Sequence, residues 1–168
     1  DTNALAYWQR AVCQTEMDEF NVSEGQPIIN IHSAEADFSD AIRLSKNNNA
    51  YIYYNRGNLH ANRKELSKAI DDYTMAIKID NKLAEAYYNR GIARSKTGNK
   101  ATAIQDLSKA GELGLYDAYS VIKRLNKQKE EKDKEAERQE EMGKEQKEAQ
   151  EETKLKDQTV LVVEDNAD

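Results

Sequence analysis

An eight-residue segment of this chain recurs 34 places on with six of its eight residues unchanged. Ala50-Tyr51-Ile52-Tyr53-Tyr54-Asn55-Arg56-Gly57 aligns with Ala84-Glu85-Ala86-Tyr87-Tyr88-Asn89-Arg90-Gly91. The same shift pairs Ala69-Ile70 with Ala103-Ile104, Asp72 with Asp106 and Ala76 with Ala110, giving ten identities in 34 positions without a gap. A period of this length restricts the fold more than any other feature of the chain. Each unit is too small to enclose a core, so its apolar face has to be buried against the next unit.

A third copy lies upstream. Tyr7-Trp8-Gln9-Arg10-Ala11 matches Tyr53-Tyr54-Asn55-Arg56-Gly57, and Ala34, Phe38 and Ala41 match Ala69, Tyr73 and Ala76. Tyr7 and Phe38 are 31 apart where Tyr53 and Tyr73 are 20 apart, so 11 extra residues lie inside copy one. They fall in an inserted loop over 21–32 that holds Pro27, the only proline. The loop gathers Ile28, Ile29 and Ile31 and is expected to fold over its own hairpin, with Ser33 capping the helix that follows.

Each copy reads as two helices. Tyr53, Tyr54, Gly57 and Ala61, then Leu66, Ala69, Ile70, Tyr73 and Ile77, recur at three- and four-residue steps. Breaks fall at Asn47-Asn48-Asn49, Asp80-Asn81, Gly98-Asn99 and between Gly111 and Gly114.

A 34-residue helix pair with an aromatic at the fourth place, Gly at the eighth, Ala at the twentieth and an aromatic at the twenty-fourth resembles the tetratricopeptide repeat. The match covers Ala4 to Asp117. It implies an all-α solenoid of about three helix-turn-helix hairpins, at 4–49, 50–83 and 84–117. Gly57 and Gly91, with Ala11 in copy one, leave room for the second helix to approach. Tyr73, Phe38 and Leu107 are expected to fill the space between successive hairpins. Arg10, Arg56 and Arg90 stand where the family usually has Leu, a departure expected to affect groove chemistry more than fold. Gln14, His60 and Arg94 replace the usual Tyr, and Lys46, Asn81 and Leu115 the late Pro.

Solenoids need a polar-faced terminal helix over their last apolar surface. The segment 116–126, from Tyr116 to Asn126, has its apolar residues on one side and is the expected cap, which closes an array over 1–126. Beyond it, Lys127 to Asp157 hold 21 charged side chains in 31 positions, with too few apolar residues for a heptad seam. This long charged tail reads as a solvated, partly helical or disordered linker, with a rigid helical spacer as the alternative. The end, 158–168, contains Thr159-Val160-Leu161-Val162-Val163-Glu164-Asp165, which resembles the opening strand of a response-regulator receiver domain. That resemblance would make Glu164 and Asp165 acids of a cation site whose remainder is not in this chain.

Charge excludes one class of partner. The net charge is −6 and no Lys/Arg cluster stands apart from acids, so the phosphate-neutralising interaction behind nucleic-acid affinity has no source. No apolar run approaches the roughly 18 to 20 residues that span a bilayer, so a soluble chain is expected. Cys13 is alone, which excludes an intrachain disulfide and leaves the compartment open, with cytoplasm favoured over periplasm or secretion. The start Asp1-Thr2-Asn3 reads as excised, so further repeats before Asp1 or a receiver-like domain after Asp168 are both compatible with the sequence.

Catalysis needs a nucleophile or base held by partners. His32 and His60 have no Cys, His or paired carboxylate at ligand spacing and read as surface or half-buried histidines. Cys13 reads as a small core residue. Gly57 and Gly91 sit inside helices rather than in a phosphate loop. No enzyme, cofactor or metal site is expected.

What remains is a surface. By the resemblance, the second, fifth, ninth, twelfth and thirteenth places of each first helix line the concave side. Carried over, these are Leu5, Trp8, Val12, Thr15 and Glu16; Tyr51, Tyr54, Asn58, Ala61 and Asn62; and Glu85, Tyr88, Ile92, Ser95 and Lys96. Tyr119, Ile122 and Asn126 would continue the line on the cap. Tyr and Trp bring large contact area with a polar end and are enriched at binding hot spots. Tyr7, Tyr53 and Tyr87 are expected to pack between helices instead. Some family members grip a chaperone's C-terminal carboxylate with two Asn and basic residues. Asn58, Asn89 and Lys123 match, but Tyr54 and Tyr119 stand where lysines are required, so that ligand is not expected. The expected function is a scaffold binding a peptide or extended segment of another protein, with self-association open. The alternative is a regulatory segment that positions a downstream domain in a larger signalling protein.

Overall fold

The computed structural model describes residues 2–23 and 31–164. It contains α1 (Thr2–Ser23), α2 (Ile31–Leu44), α3 (Ala50–Asn62), α4 (Leu66–Ile79), α5 (Ala84–Lys96), α6 (Lys100–Glu112) and α7 (Asp117–Glu164), with no strand among the described residues. The chain divides into two compact units between Lys123 and Arg124.

The first unit is the repeat array. Its helices pair as α1 with α2, α3 with α4 and α5 with α6, and α2 against α3 and α4 against α5 join the hairpins. The turns follow the local chemistry. Lys46 and Asn47 take positive φ after α2, Asn49 accepts a hydrogen bond from the Tyr51 N–H at the start of α3, and Gly98 sits at φ 89° after α5. Gly111 is not part of a break, because α6 continues through it to Glu112. Copy one lengthens its first helix, with α1 reaching Ser23, while α2 starts at Ile31, the equivalent of Leu66 in α4, which leaves Ser33 inside α2 rather than at its cap. The cluster expected of Ile28, Ile29 and Ile31 lies outside the residues whose side chains the structure describes.

Small residues set the helix spacing. Ala34, Ala41, Ala69, Ala76, Ala103 and Ala110 are fully buried, and the Tyr73 ring lies over Gly57 while Leu107 lies over Gly91. Tyr73 and Leu107 therefore fill the slot inside their own hairpins, and Tyr73 also reaches the next hairpin, where it lines a cleft with Asn89 of α5. The reason is geometric: Gly at the eighth place opens a slot on the first helix that faces its own partner helix.

The largest departure from expectation concerns the arginines. Arg10, Arg56 and Arg90 do not face a groove; each forms a two-bond fork with an Asp of its own hairpin, Asp37, Asp72 and Asp106 respectively. The bonds are 2.8 and 2.6 Å for Arg56, and 2.9 and 2.7 Å for Arg90. Three residues back along each helix, the guanidinium stacks over Tyr7, Tyr53 or Tyr87 at 5.1, 5.7 and 5.6 Å. A third guanidinium nitrogen reaches the preceding hairpin, from Arg56 to Ser39 Oγ and from Arg90 to Thr74 Oγ1. Buried carboxylates need such partners, because an unpaired charge in the interior is costly. Burial alone would lower the Arg56 pKa, but the hydrogen bond and charge of Asp72 outweigh it and hold the group above its ordinary value.

Two single residues also depart from expectation. His60 is buried, with Nδ1 2.7 Å from Glu65 Oε2 and Nε2 3.6 Å from Asp72. The Glu65 carboxyl is held below its usual range by hydrogen bonds from Lys68 and then His60. Cys13 is exposed instead of packed in the core. Its repeat equivalents Leu59 and Ala93 are buried on helices that have a preceding hairpin against them, whereas no described helix precedes α1.

Helix α7 runs through the expected boundary at 126 without a break, so cap and charged tail share one helix. Its residues 127–147 present their side chains to solvent, and Lys127–Glu131 and Glu140–Lys144 pair one turn apart. Such pairs add only about 0.2–0.5 kcal/mol each. The apolar run 159–163 is the end of α7 rather than a strand; a lone strand leaves its backbone groups unpaired, whereas a helix pairs them internally. The remaining acids of the receiver-like reading, from Asp165 on, lie outside the described residues. Deletion of 127–168 is expected to leave the thermal midpoint, followed by circular dichroism, within a few degrees of the full chain. A large fall would mean that the tail supports the array.

Candidate functional site

The first helices of the hairpins line one side of the array. α1 touches α3 and α3 touches α5, while the second helices make no comparable contact with one another. The inner face is therefore built by α1, α3 and α5, which is where repeat register puts the expected groove residues.

At one end of this face, Leu5 and Trp8 line a cleft of about 330 Å³ with Ala4, Ile52 and the polar turn residues Ser45, Asn48 and Asn49. Leu5 is 47% exposed and Tyr51 51% exposed, large apolar surfaces for which the array supplies no cover. Val12 is half-buried against the core, as is Trp8, whose Nε1 is buried without a hydrogen-bond acceptor.

Further along, a second cleft of about 250 Å³ opens between α3 and α5. Asn58, Ala61, Asn62, Ile92 and Lys96, five of the places that repeat register assigns to the first helices' groove side, line it with Leu66, Tyr73, Asn89 and Ala93. Its floor is a hydrogen-bonded set. Tyr73 Oη donates to Asn58 Oδ1 at 2.8 Å, and Asn89 Nδ2 donates to the same oxygen at 2.9 Å and to Tyr54 Oη at 3.3 Å. The Tyr54 and Tyr73 rings lie 6.1 Å apart. Burial, helped by Tyr54, pushes the Tyr73 phenol well above its ordinary pKa and keeps it a donor. These bonds use neither the Asn58 N–H groups nor Asn89 Oδ1.

Tyr88 is half-buried and Glu85 exposed on α5. The Tyr119 ring packs over Gly111 of α6, where an added Cβ would stand 2.6 Å from it, and is still 49% exposed. Tyr73 and Leu66, both from α4, were missed as groove residues because register arguments assign that face to first helices alone. The hydroxyl at Tyr73 was the available signal, since Phe38 and Leu107 at the same place have none. Among the described residues there is no cluster of His, Cys, Asp and Glu able to hold a metal, and no helix is long and apolar enough to cross a membrane.

Stacked helix pairs with an inner face built by alternate helices define an α-solenoid interaction module. Comparison with known proteins agrees. A family model described as "TPR repeat" matches residues 57–98, and one described as "Tetratricopeptide repeat" matches 84–113. Tetratricopeptide repeats are therefore present over 57–113, within an all-α solenoid of the tetratricopeptide kind.

Human DnaJ homolog subfamily C member 7 is 32% identical over 75 residues, which is 43% of this chain and 15% of that protein. Photosystem I assembly protein Ycf3 of Acaryochloris marina is 29% identical over 83 residues, 48% of this chain and 50% of that one. The chain thus spans half or less of the length of these relatives. Among solved structures, the Arabidopsis OM64 TPR domain superposes with a TM-score of 0.57 at 26% identity, covering 73% of this chain and 98% of the other. The first TPR of Spaghetti (RPAP3), bound to the HSP90 peptide SRMEEVD, gives 0.57 at 19% identity, covering 71% and 92%.

Proposed function

We propose that the chain binds an extended segment of another protein along the face formed by α1, α3 and α5, with Trp8, Tyr51, Tyr54 and Tyr88 as the contact aromatics. The observation that carries this reading is the cleft between α3 and α5, whose floor offers both amide donors and an amide acceptor. An extended peptide has unpaired N–H and C=O groups on each residue, and a donor beside an acceptor meets one peptide unit without reference to its side chain. Exposed Leu5 and Tyr51 add apolar area that a partner would cover. A solenoid of the same fold that holds a peptide, as RPAP3 does, supports the reading as far as fold goes.

The 48-residue helix α7 favours a second role alongside the first. A continuous charged helix advancing about 1.5 Å per residue is a spacer, consistent with a regulatory segment that sets the distance to another domain.

A paired pull-down tests the groove. Tyr51→Ser/Tyr88→Ser should lose the proteins that the wild type retains, while Asp71→Ala/Lys78→Ala, on exposed positions of α4, should retain them. All three forms should melt alike. Equal retention by both variants would place the binding surface elsewhere.

A further inference from the structure

The cleft between α3 and α5 carries a single formal charge. Lys96 is the only ionised residue among those lining it, no carboxylate faces it from the cleft wall, and it makes no ion pair among the described residues. Leu66 and Ile92 give the same cleft aliphatic walls, and Asn58 and Asn89 hold the floor by the bond between them. One cation, a short apolar wall and a donor–acceptor amide pair together describe a complementary group. It has one negative charge on a short aliphatic stem, attached to a peptide unit.

We infer that this cleft reads an internal acidic residue, glutamate in preference to aspartate, within the extended segment bound by the groove; the inference rests on the groove reading above. The stem packs on Leu66 and Ile92, the carboxylate meets Lys96, and the residue's own peptide group meets Asn58 N–H and Asn89 Oδ1. A chain-terminal Glu or Asp would bring a second carboxylate to a cleft with only one cation, and a neutral terminal residue would bring its carboxylate without the aliphatic stem that Leu66 and Ile92 flank. The cleft therefore selects an acid inside a segment and not a free C-terminus. Lys96 is exposed, so the contribution is modest and weakens as salt rises.

The test uses the full chain and random dodecamer inserts displayed at the N-terminus of a phage coat protein, so that no insert has a free carboxyl end. An enriched insert is then made as an acetylated, amidated peptide in Glu and Gln forms, and binding is followed by fluorescence anisotropy. The wild type should bind the Glu form about fivefold tighter. On Lys96→Gln the preference should vanish while the Gln form binds as before. Equal binding of both forms by the wild type, or a preference that survives Lys96→Gln, overturns the acidic selectivity. In either case the groove reading stands if Tyr51→Ser/Tyr88→Ser still abolishes binding. Binding of a peptide with a free C-terminus and no internal acid, at the affinity of the Glu form, also overturns it. No enrichment of any insert on the wild type overturns the groove reading and the selectivity together.

Discussion

Gly91→Leu should leave the chain unfolded or melting far below the wild type, while Lys96→Leu, five residues along the same helix, should melt with it. A Cβ at Gly91 would stand 2.9 Å from Leu107 Cγ and 3.1 Å from the Ala103 carbonyl oxygen. The first neighbour can rotate; the second is backbone of α6 and moves only if the helix moves. Leucine adds three further carbons in the same slot, so the cost should reach or exceed the upper end of the roughly 1–3 kcal/mol typical of overpacking. The better helix propensity of Leu returns only about 1 kcal/mol. Domains of this size are stable by about 5–15 kcal/mol, so the change removes a large part of the total. Lys96 lines the open cleft and is exposed, so its replacement meets nothing. Thermal melting followed by circular dichroism separates the two; equal midpoints would mean that the hairpins are out of register with this description.

Arg56→Met should be nearly as damaging, and for an electrostatic reason. It leaves Asp72, whose side chain is 6% exposed, without its two-bond partner. Removing one member of a buried ion pair costs about 3–5 kcal/mol, because the survivor remains a desolvated charge. The partly exposed Arg56 puts the expectation at the lower end of that range. Arg56→Met with Asp72→Leu should recover most of the loss, since neither charge then remains. Arg10→Met provides the comparison. Arg10 makes the same fork and would leave an Asp37 side chain that is just as buried, 7% exposed, so its loss should also destabilise the chain, but by less than Arg56→Met, because the Arg10 side chain is 64% exposed. Urea unfolding of the three variants and the wild type measures these differences. A double variant no more stable than Arg56→Met would show that the pair is not the unit that matters.

Much of this was legible from the repeat alone. The period gave the helix pairs and the small residues at their contacts, because close helix approach leaves a mark at the same place in each copy: Gly57 with Gly91, Ala69 with Ala103, Ala76 with Ala110. The arginine fork left a mark too. Arg and Asp lie 16 apart in copies two and three, and 27 apart in copy one, which is 16 plus the 11 inserted residues. Reading the arginines as departures from a family pattern hid this, since a comparison position by position does not ask which two departures meet in space. Cys13 was misplaced for the opposite reason. Its helix position is the buried one in later copies, and burial at that position depends on a preceding hairpin that α1 lacks among the described residues. The groove was legible as a face but not as a pair of clefts. Tyr73 enters from α4 and joins Asn58 and Asn89 only because Gly57 lets its ring cross the first helix.

Amide hydrogen exchange of the full chain, with and without a saturating enriched peptide, tests the central claim most directly. Peptide should slow exchange in α3 and α5 around Asn58 and Asn89, and in α1 around Trp8, and leave α2, α6 and α7 near their free rates. Protection confined to the second helices or to α7, with α3 and α5 unchanged, would contradict the account.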